Sequence, residues 1–89
     1  MARFVLQMTF KGDSGRRLAA RPAHREHLRG LLGAGKLVTA GPWGDDSGAL
    51  HVYEVAGEEE LREILARDPY TGADAYEITL IREWRPILP

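Results

Sequence analysis

A histidine near the start of one predicted helix, His24 in Arg21-Pro22-Ala23-His24, and an aspartate at the end of another, Asp68 in Asp68-Pro69-Tyr70, are the residues of this chain best suited to chemistry. Imidazole takes and returns a proton near neutral pH. A carboxylate beside it fixes its tautomer and orientation, as in a hydrolase triad. A helix start disfavours the imidazolium and a carboxylate favours it, a balance that suits a general base. Each residue also has a plain reading, His24 as a ring filling a core corner and Asp68 as an ordinary helix-end residue before proline. Arg21 is placed to hold an anionic substrate or to pair with Asp68. Tyr70 and Trp43 offer aromatic walls to a pocket, with packing the plainer role for Trp43. Gly41-Pro42 shapes a rim that leaves room for a ligand, or is simply a strand end.

Other candidates carry less. His24 and His27 form a His-x-x-His pair and His51 lies further on, but a metal needs more donors, so no metal site is expected. Asp45-Asp46 reads as turn chemistry and Glu58-Glu59-Glu60 as an acidic helix start. No serine has a nucleophile-elbow context, and there is no glycine-rich phosphate loop. The absence of cysteine excludes disulfides, thiolate metal ligands and a cysteine nucleophile.

The elements that must position His24 and Asp68 follow from periodicity. Residues 3–10 alternate, with Phe4, Leu6, Met8 and Phe10 on one side, and read as a half-buried strand. Residues 11–16 read as a loop. A helix is predicted from Pro22, whose missing N–H suits a first helical position, with a one-turn helix over 16–20 able to precede it. Its apolar positions are Ala23, Leu28, Leu31 and Leu32, and Gly33 and Gly35 stop it. Residues 37–43 and 49–55 read as two strands of a hairpin turned by Gly44-Asp45-Asp46-Ser47-Gly48. Three glutamates open a second helix that buries Leu61, Ile64 and Leu65 and ends before Pro69. Residues 71–74 read as a loop, and 76–84 as a last strand with Tyr76, Ile78, Leu80 and Trp84 in phase.

The order βαββαβ is that of an α+β, ferredoxin-like domain, with four antiparallel strands and both helices on one face. In that topology the start of the first helix, the strand two–three hairpin and the end of the second helix share one rim. Helical spacing from Leu28 and Leu31 puts His24 on the buried stripe. The spacing from Leu61 and Ile64 does the same for Asp68. The two side chains are therefore expected to meet in a cleft. The open sheet face is expected to pair with a second copy, giving a dimeric α+β barrel.

The 89 residues are expected to form a single domain, 1–89, small enough for a second copy to help its stability. The hydrophobic fraction of 44% and charged fraction of 28% are those of an ordinary globular protein. A net charge of −1 gives no electrostatic footprint for nucleic acid. The recognition fold of RNA-binding modules shares this topology but needs aromatic and basic residues on the middle strands, where the third strand offers only His51 and Tyr53. No apolar run is long enough to cross a membrane and no signal-peptide layout opens the chain, so a cytoplasmic protein is expected.

Arg21-Pro22-Ala23-His24, Leu28, Leu31, Gly35-Lys36-Leu37, Ala40-Gly41-Pro42, Asp45, Gly48, Asp68-Pro69-Tyr70 and Ile81-Arg82-Glu83-Trp84 together form a pattern over nearly the whole chain. This pattern resembles the YciI-like (YCII-related) family of small bacterial proteins. The resemblance implies a ferredoxin-like subunit, a dimeric α+β barrel and a cleft with a His–Asp pair, mapping onto His24 and Asp68. Among relatives it implies lyase and isomerase chemistry, dehydrochlorination of a chlorinated hydroxyhydroquinone included. The expectation is a cofactor-independent proton-transfer enzyme acting on a small organic acid or phenol. His24 and Asp68 would be catalytic, and Arg21, Gly41, Pro42 and Tyr70 would bind substrate. The alternative is a non-catalytic ligand-binding or accessory module that keeps the same cleft.

Overall fold

A computed structural model describes residues 1–12 and 14–89. The chain runs β1 (Ala2–Phe10), α1 (Ser14–Gly33), β2 (Leu37–Pro42), β3 (Gly48–Val55), α2 (Glu58–Arg67), α3 (Pro69–Gly72) and β4 (Tyr76–Trp84). The strands form one antiparallel sheet in the order β2-β3-β1-β4, the ferredoxin-like arrangement, with the helices on one face.

Register decides what each face carries. Phe4, Leu6 and Met8 of β1 lie opposite Tyr53, His51 and Ala49 of β3, and all six are buried on the helix side. Leu61, Ile64 and Leu65 of α2 close over this surface with Val55, Tyr70, Ala75 and Tyr76. The open face carries Val5, Gln7, Leu50 and Val52, with Arg3 and Glu54 paired at 2.8 Å. His51 and Tyr53, weighed above as open-face groups for RNA, therefore point into the helix side.

The first helix departs from expectation. Residues 14–16 are helical rather than loop, and Asp13, within that predicted loop, lies outside the described residues. Pro22 stands inside the single helix α1 instead of opening one. Its ring removes the N–H that would bond the Leu18 carbonyl. Leu18 is exposed, so water can serve that carbonyl in its place. Within α1 only His24 is buried; Leu28 and Leu31 are half-buried, while Ala23 and Leu32 face outward. The core is thus filled beneath α2, and α1 spans the sheet without filling the space below it.

Two further differences bear on the site. The predicted loop at 71–74 overlaps a one-turn helix, because Pro69 presets the first-turn φ and Asp68 caps it by accepting from the Tyr70 N–H. In β4 the register against β1 slips between Gln7 and Met8. Ile78 opposes Met8 and Leu80 opposes Gln7, leaving Thr79 as the extra residue of a bulge. Tyr76 and Ile81 consequently serve the helix side, while Leu80 and Trp84 serve the open face, so the predicted single phase breaks at Thr79.

One glycine is required by close approach. A Cβ on Gly48 would overlap the Met8 carbonyl oxygen across the β1–β3 ladder, so the start of β3 admits no side chain there. Among the described residues no helix is long and apolar enough to cross a membrane.

Candidate functional site

Where α2 ends, Asp68 does several jobs. Its backbone N–H bonds the Leu65 carbonyl, and its side chain caps α3. Its Oδ1 accepts from the Tyr70 N–H at 2.9 Å and also meets His24 Nδ1 at 2.7 Å. Both side chains of this second contact are buried, Asp68 to 2% exposure and His24 to 5%. Asp68 Oδ2 is buried with no hydrogen-bond partner. A carboxylate only accepts, so a neutral imidazole facing it donates from Nδ1 and leaves the lone pair on Nε2.

Tyr70 follows on α3 and lies flat on the imidazole, with ring centroids 3.7 Å apart and planes within 3°. Phe10 meets the far edge of Tyr70 at 6.1 Å in a T-shape. The carboxylate therefore sets the rotation of the His24 ring, and the phenol sets its plane. The helix-start effect expected at His24 drops out, because α1 begins at Ser14 and places this residue mid-helix.

Under α1, the space left above the sheet is a cavity of about 290 Å³. His24, His51 and Tyr70 line its inner wall, with Ala49 and Phe10 at the sheet and Ala40-Gly41-Pro42 at the end of β2. Arg17, Arg21 and Arg25 line it from α1, one turn apart, against one acidic residue, Asp46 of the hairpin. The mouth is cationic and suits a small anion. Arg21 forms no ion pair with Asp68, whose Oδ1 is taken by His24 and Tyr70. Trp43 lies outside the cavity, exposed at the hairpin.

Sequence reasoning passed over His51, Arg17 and Arg25 as cavity residues. The arginine signal was present in the four-residue spacing 17–21–25, which one continuous helix places on a single face. His51 sits on β3 with Nδ1 2.8 Å from the Tyr53 hydroxyl, and its ring centroid is 5.8 Å from that of His24. Burial, and then the nearby His24, push His51 down to about 4, so it is neutral at pH 7. Burial pushes the Tyr53 phenol up, and it keeps its proton. Among the described residues no group of three or more His, Asp or Glu is arranged to hold a metal ion.

A ferredoxin-like domain with a buried His–carboxylate contact opening on a cationic cavity is the class that the fold and site define. The YCII-related domain model matches residues 2–85, and the chain belongs to that family. It is 38% identical over 69 residues to the derivative of benzaldehyde biosynthesis cluster protein C of Emericella nidulans, covering 65% of this chain and 70% of the relative. It also superposes on 5-chloro-2-hydroxyhydroquinone dehydrochlorinase (TftG) from Burkholderia phenoliruptrix, solved in complex with 2,5-dihydroxybenzoquinone. The TM-score is 0.78 at 22% identity, over 96% of this chain and 94% of the other, a likeness of fold.

Proposed function

We propose that this chain is a small-molecule lyase or isomerase that moves a proton with His24 as general base, oriented by Asp68. The observation that carries the reading is the buried 2.7 Å contact between His24 Nδ1 and Asp68 Oδ1 at the wall of a cavity sized for one small ring. Proton transfer of this kind needs no cofactor. Arg21, with Arg17 and Arg25, holds an organic acid or phenolate, Tyr70 packs against the imidazole, and Gly41-Pro42 forms the rim. The names of the two similar proteins, one acting on a chlorinated hydroxyhydroquinone and one of benzaldehyde-derivative biosynthesis, support an oxygenated aromatic or quinonoid ligand.

The test is calorimetric titration with 2,5-dihydroxybenzoquinone, followed by a screen of halogenated hydroxyhydroquinones for halide release, in wild type and His24→Ala. Binding together with turnover that His24→Ala abolishes is expected. Binding without any turnover turns the reading to a ligand-binding or accessory module. That second reading is favoured by Asp68 capping α3, a structural duty that places its carboxylate without any chemistry.

The same proposal includes a homodimer through the open sheet face, where Val5, Leu50, Leu80 and Trp84 form a half-apolar surface. Trp84→Glu is expected to lower the mass seen by light scattering from dimer to monomer.

A further inference from the structure

His51 and Tyr53 are buried polar residues beside the cavity that the mechanism above leaves unused. Tyr53 is fully buried, and among the described residues its hydroxyl has one partner, His51 Nδ1, at 2.8 Å. Two arrangements of the proton are conceivable. If Nδ1–H donated to the phenol oxygen, the phenol's own hydrogen would be sealed in the core without an acceptor, at a cost of about 1–3 kcal/mol. If the phenol donates to Nδ1, nothing buried is left unpaired. The imidazole proton then sits on Nε2, which has no hydrogen-bond partner among the described residues, is not among the sealed polar atoms and belongs to a residue lining the cavity.

The cavity therefore holds two imidazoles in opposite roles. His24 has its Nδ1 turned to a carboxylate and presents a lone pair. His51 has its Nδ1 turned to a phenol and presents an N–H. Their ring centroids are 5.8 Å apart, with planes tilted by 30°. A carbon acid and its own carbonyl oxygen can bridge such a pair.

We infer that His51 is a second catalytic residue, set by Tyr53 as the Nε2–H tautomer to hydrogen-bond the carbonyl oxygen of an anionic, enolisable substrate whose carbon-bound proton His24 removes. This deepens the proposed function and rests on it. In the step, the C–H bond breaks and its proton goes to His24 Nε2. The electron pair moves onto the carbonyl oxygen, and His51 Nε2–H steadies the resulting enolate. The pair then either returns through another carbon, which takes the proton back from His24, or expels a halide from the neighbouring carbon as the carbonyl re-forms. In the second case His24 later releases its proton to solvent, and the sum is loss of hydrogen halide. A neutral imidazole suits this role because its N–H stabilises an oxyanion without surrendering its proton. The low proton affinity of His51 keeps it in that form across the neutral range. Tyr53 is a positioning residue that acts through His51.

The experiment has two arms. Long-range ¹H–¹⁵N spectra of the wild-type protein read the His51 tautomer directly, with a protonated Nε2 and an unprotonated Nδ1 expected. Calorimetry with 2,5-dihydroxybenzoquinone as probe then compares wild type, His51→Gln, which keeps a donor, and His51→Leu, which does not. His51→Leu is expected to weaken binding by about 10- to 100-fold and His51→Gln by far less. The His51 Nε2–H signal should also shift on probe binding. A proton on Nδ1 of the free protein overturns the inference without any variant needing to fold. Probe affinity within about twofold of wild type in a folded His51→Leu protein overturns it as well, leaving the His24 reading intact. A wild-type cavity that does not take the probe overturns both.

Discussion

Replacing Asp68 separates its structural duty from its chemical one. Asp68→Ala removes the acceptor of two buried donors at once, the Tyr70 N–H and His24 Nδ1–H. Each stranded donor costs about 1–3 kcal/mol, so the variant is expected to lose about 2–6 kcal/mol. A chain of 89 residues has roughly 4–13 kcal/mol to lose, and unfolds with about 2.1 cal/mol/K of entropy per residue. The loss therefore corresponds to a fall in Tm of roughly 10–30 °C. Asp68→Asn keeps a carbonyl oxygen for both donors and gives up only the charge, so about 1–2 kcal/mol is expected. Thermal unfolding followed by circular dichroism reads both, at one fixed protein concentration, since association would move Tm by mass action. His24→Phe supplies the second edge of a double-mutant cycle, because it keeps a ring for Tyr70 to stack on and removes the donor. In that background Asp68→Ala strands only the Tyr70 N–H, and its cost should fall by about 1–3 kcal/mol. An Asp68→Ala cost below about 1 kcal/mol, or one unchanged by His24→Phe, would refute the shared-acceptor argument.

Three further outcomes are expected. His51 binds its proton more weakly folded, at about 4, than unfolded, at 6.5, so the unfolded chain takes up more protons in that window. Stability should therefore fall as pH drops from about 6.5 toward 4, by up to about 1.4 kcal/mol per pH unit, and His51→Gln should flatten that slope in urea titrations. The depressed carboxyls of Asp45, Glu60 and Asp74 act lower, their contributions being lost as pH falls through their folded values, below 4.5 and 3.8. Gly48→Ala should destabilise by about 1–3 kcal/mol, measured in urea, because the added methyl meets the Met8 carbonyl. Arg21→Gln should weaken 2,5-dihydroxybenzoquinone binding about 3- to 10-fold and reduce its salt dependence, with Tm within about 2 °C of wild type, since Arg21 pairs with no acid among the described residues.

Legibility in the sequence tracked how local the physics was. The alternation of Phe4, Leu6, Met8 and Phe10 and the spacing of Leu61, Ile64 and Leu65 are direct prints of burial, and the element order and the inward face of β1 were legible with them. The approach of His24 to Asp68 was readable because both lie in phase with apolar neighbours on helices that topology brings to one rim. Pro22 misled because proline propensity speaks for an isolated helix, whereas a helix on the surface of a sheet can leave one carbonyl to solvent. With the helix begun too late, the Arg17–Arg21–Arg25 row was cut and two cavity residues were lost. Thr79 was invisible because a bulge depends on the partner strand, not on its own residue type. His51 was undervalued because its meaning lies in the Tyr53 hydroxyl two residues along and in His24, distant in sequence.

The extra residue at Thr79 has a consequence for what the protein shows to its surroundings. Because side chains alternate with a period of two, one added residue exchanges the faces of everything beyond it. Upstream, Tyr76 belongs to the interior beside Thr71 and Tyr70. Downstream, Leu80, Arg82 and Trp84 are delivered to the uncovered side, while Ile81 takes the inward place. A regular ladder that paired Thr79 with Gln7, with no bulge, would restore the parity. Leu80 and Trp84 would turn inward, and Ile81 and Glu83 would come out in their place, giving the outer surface a carboxylate where it now has an indole. A single backbone insertion thus acts as the switch that decides which half of β4 is read by the interior and which by the outside.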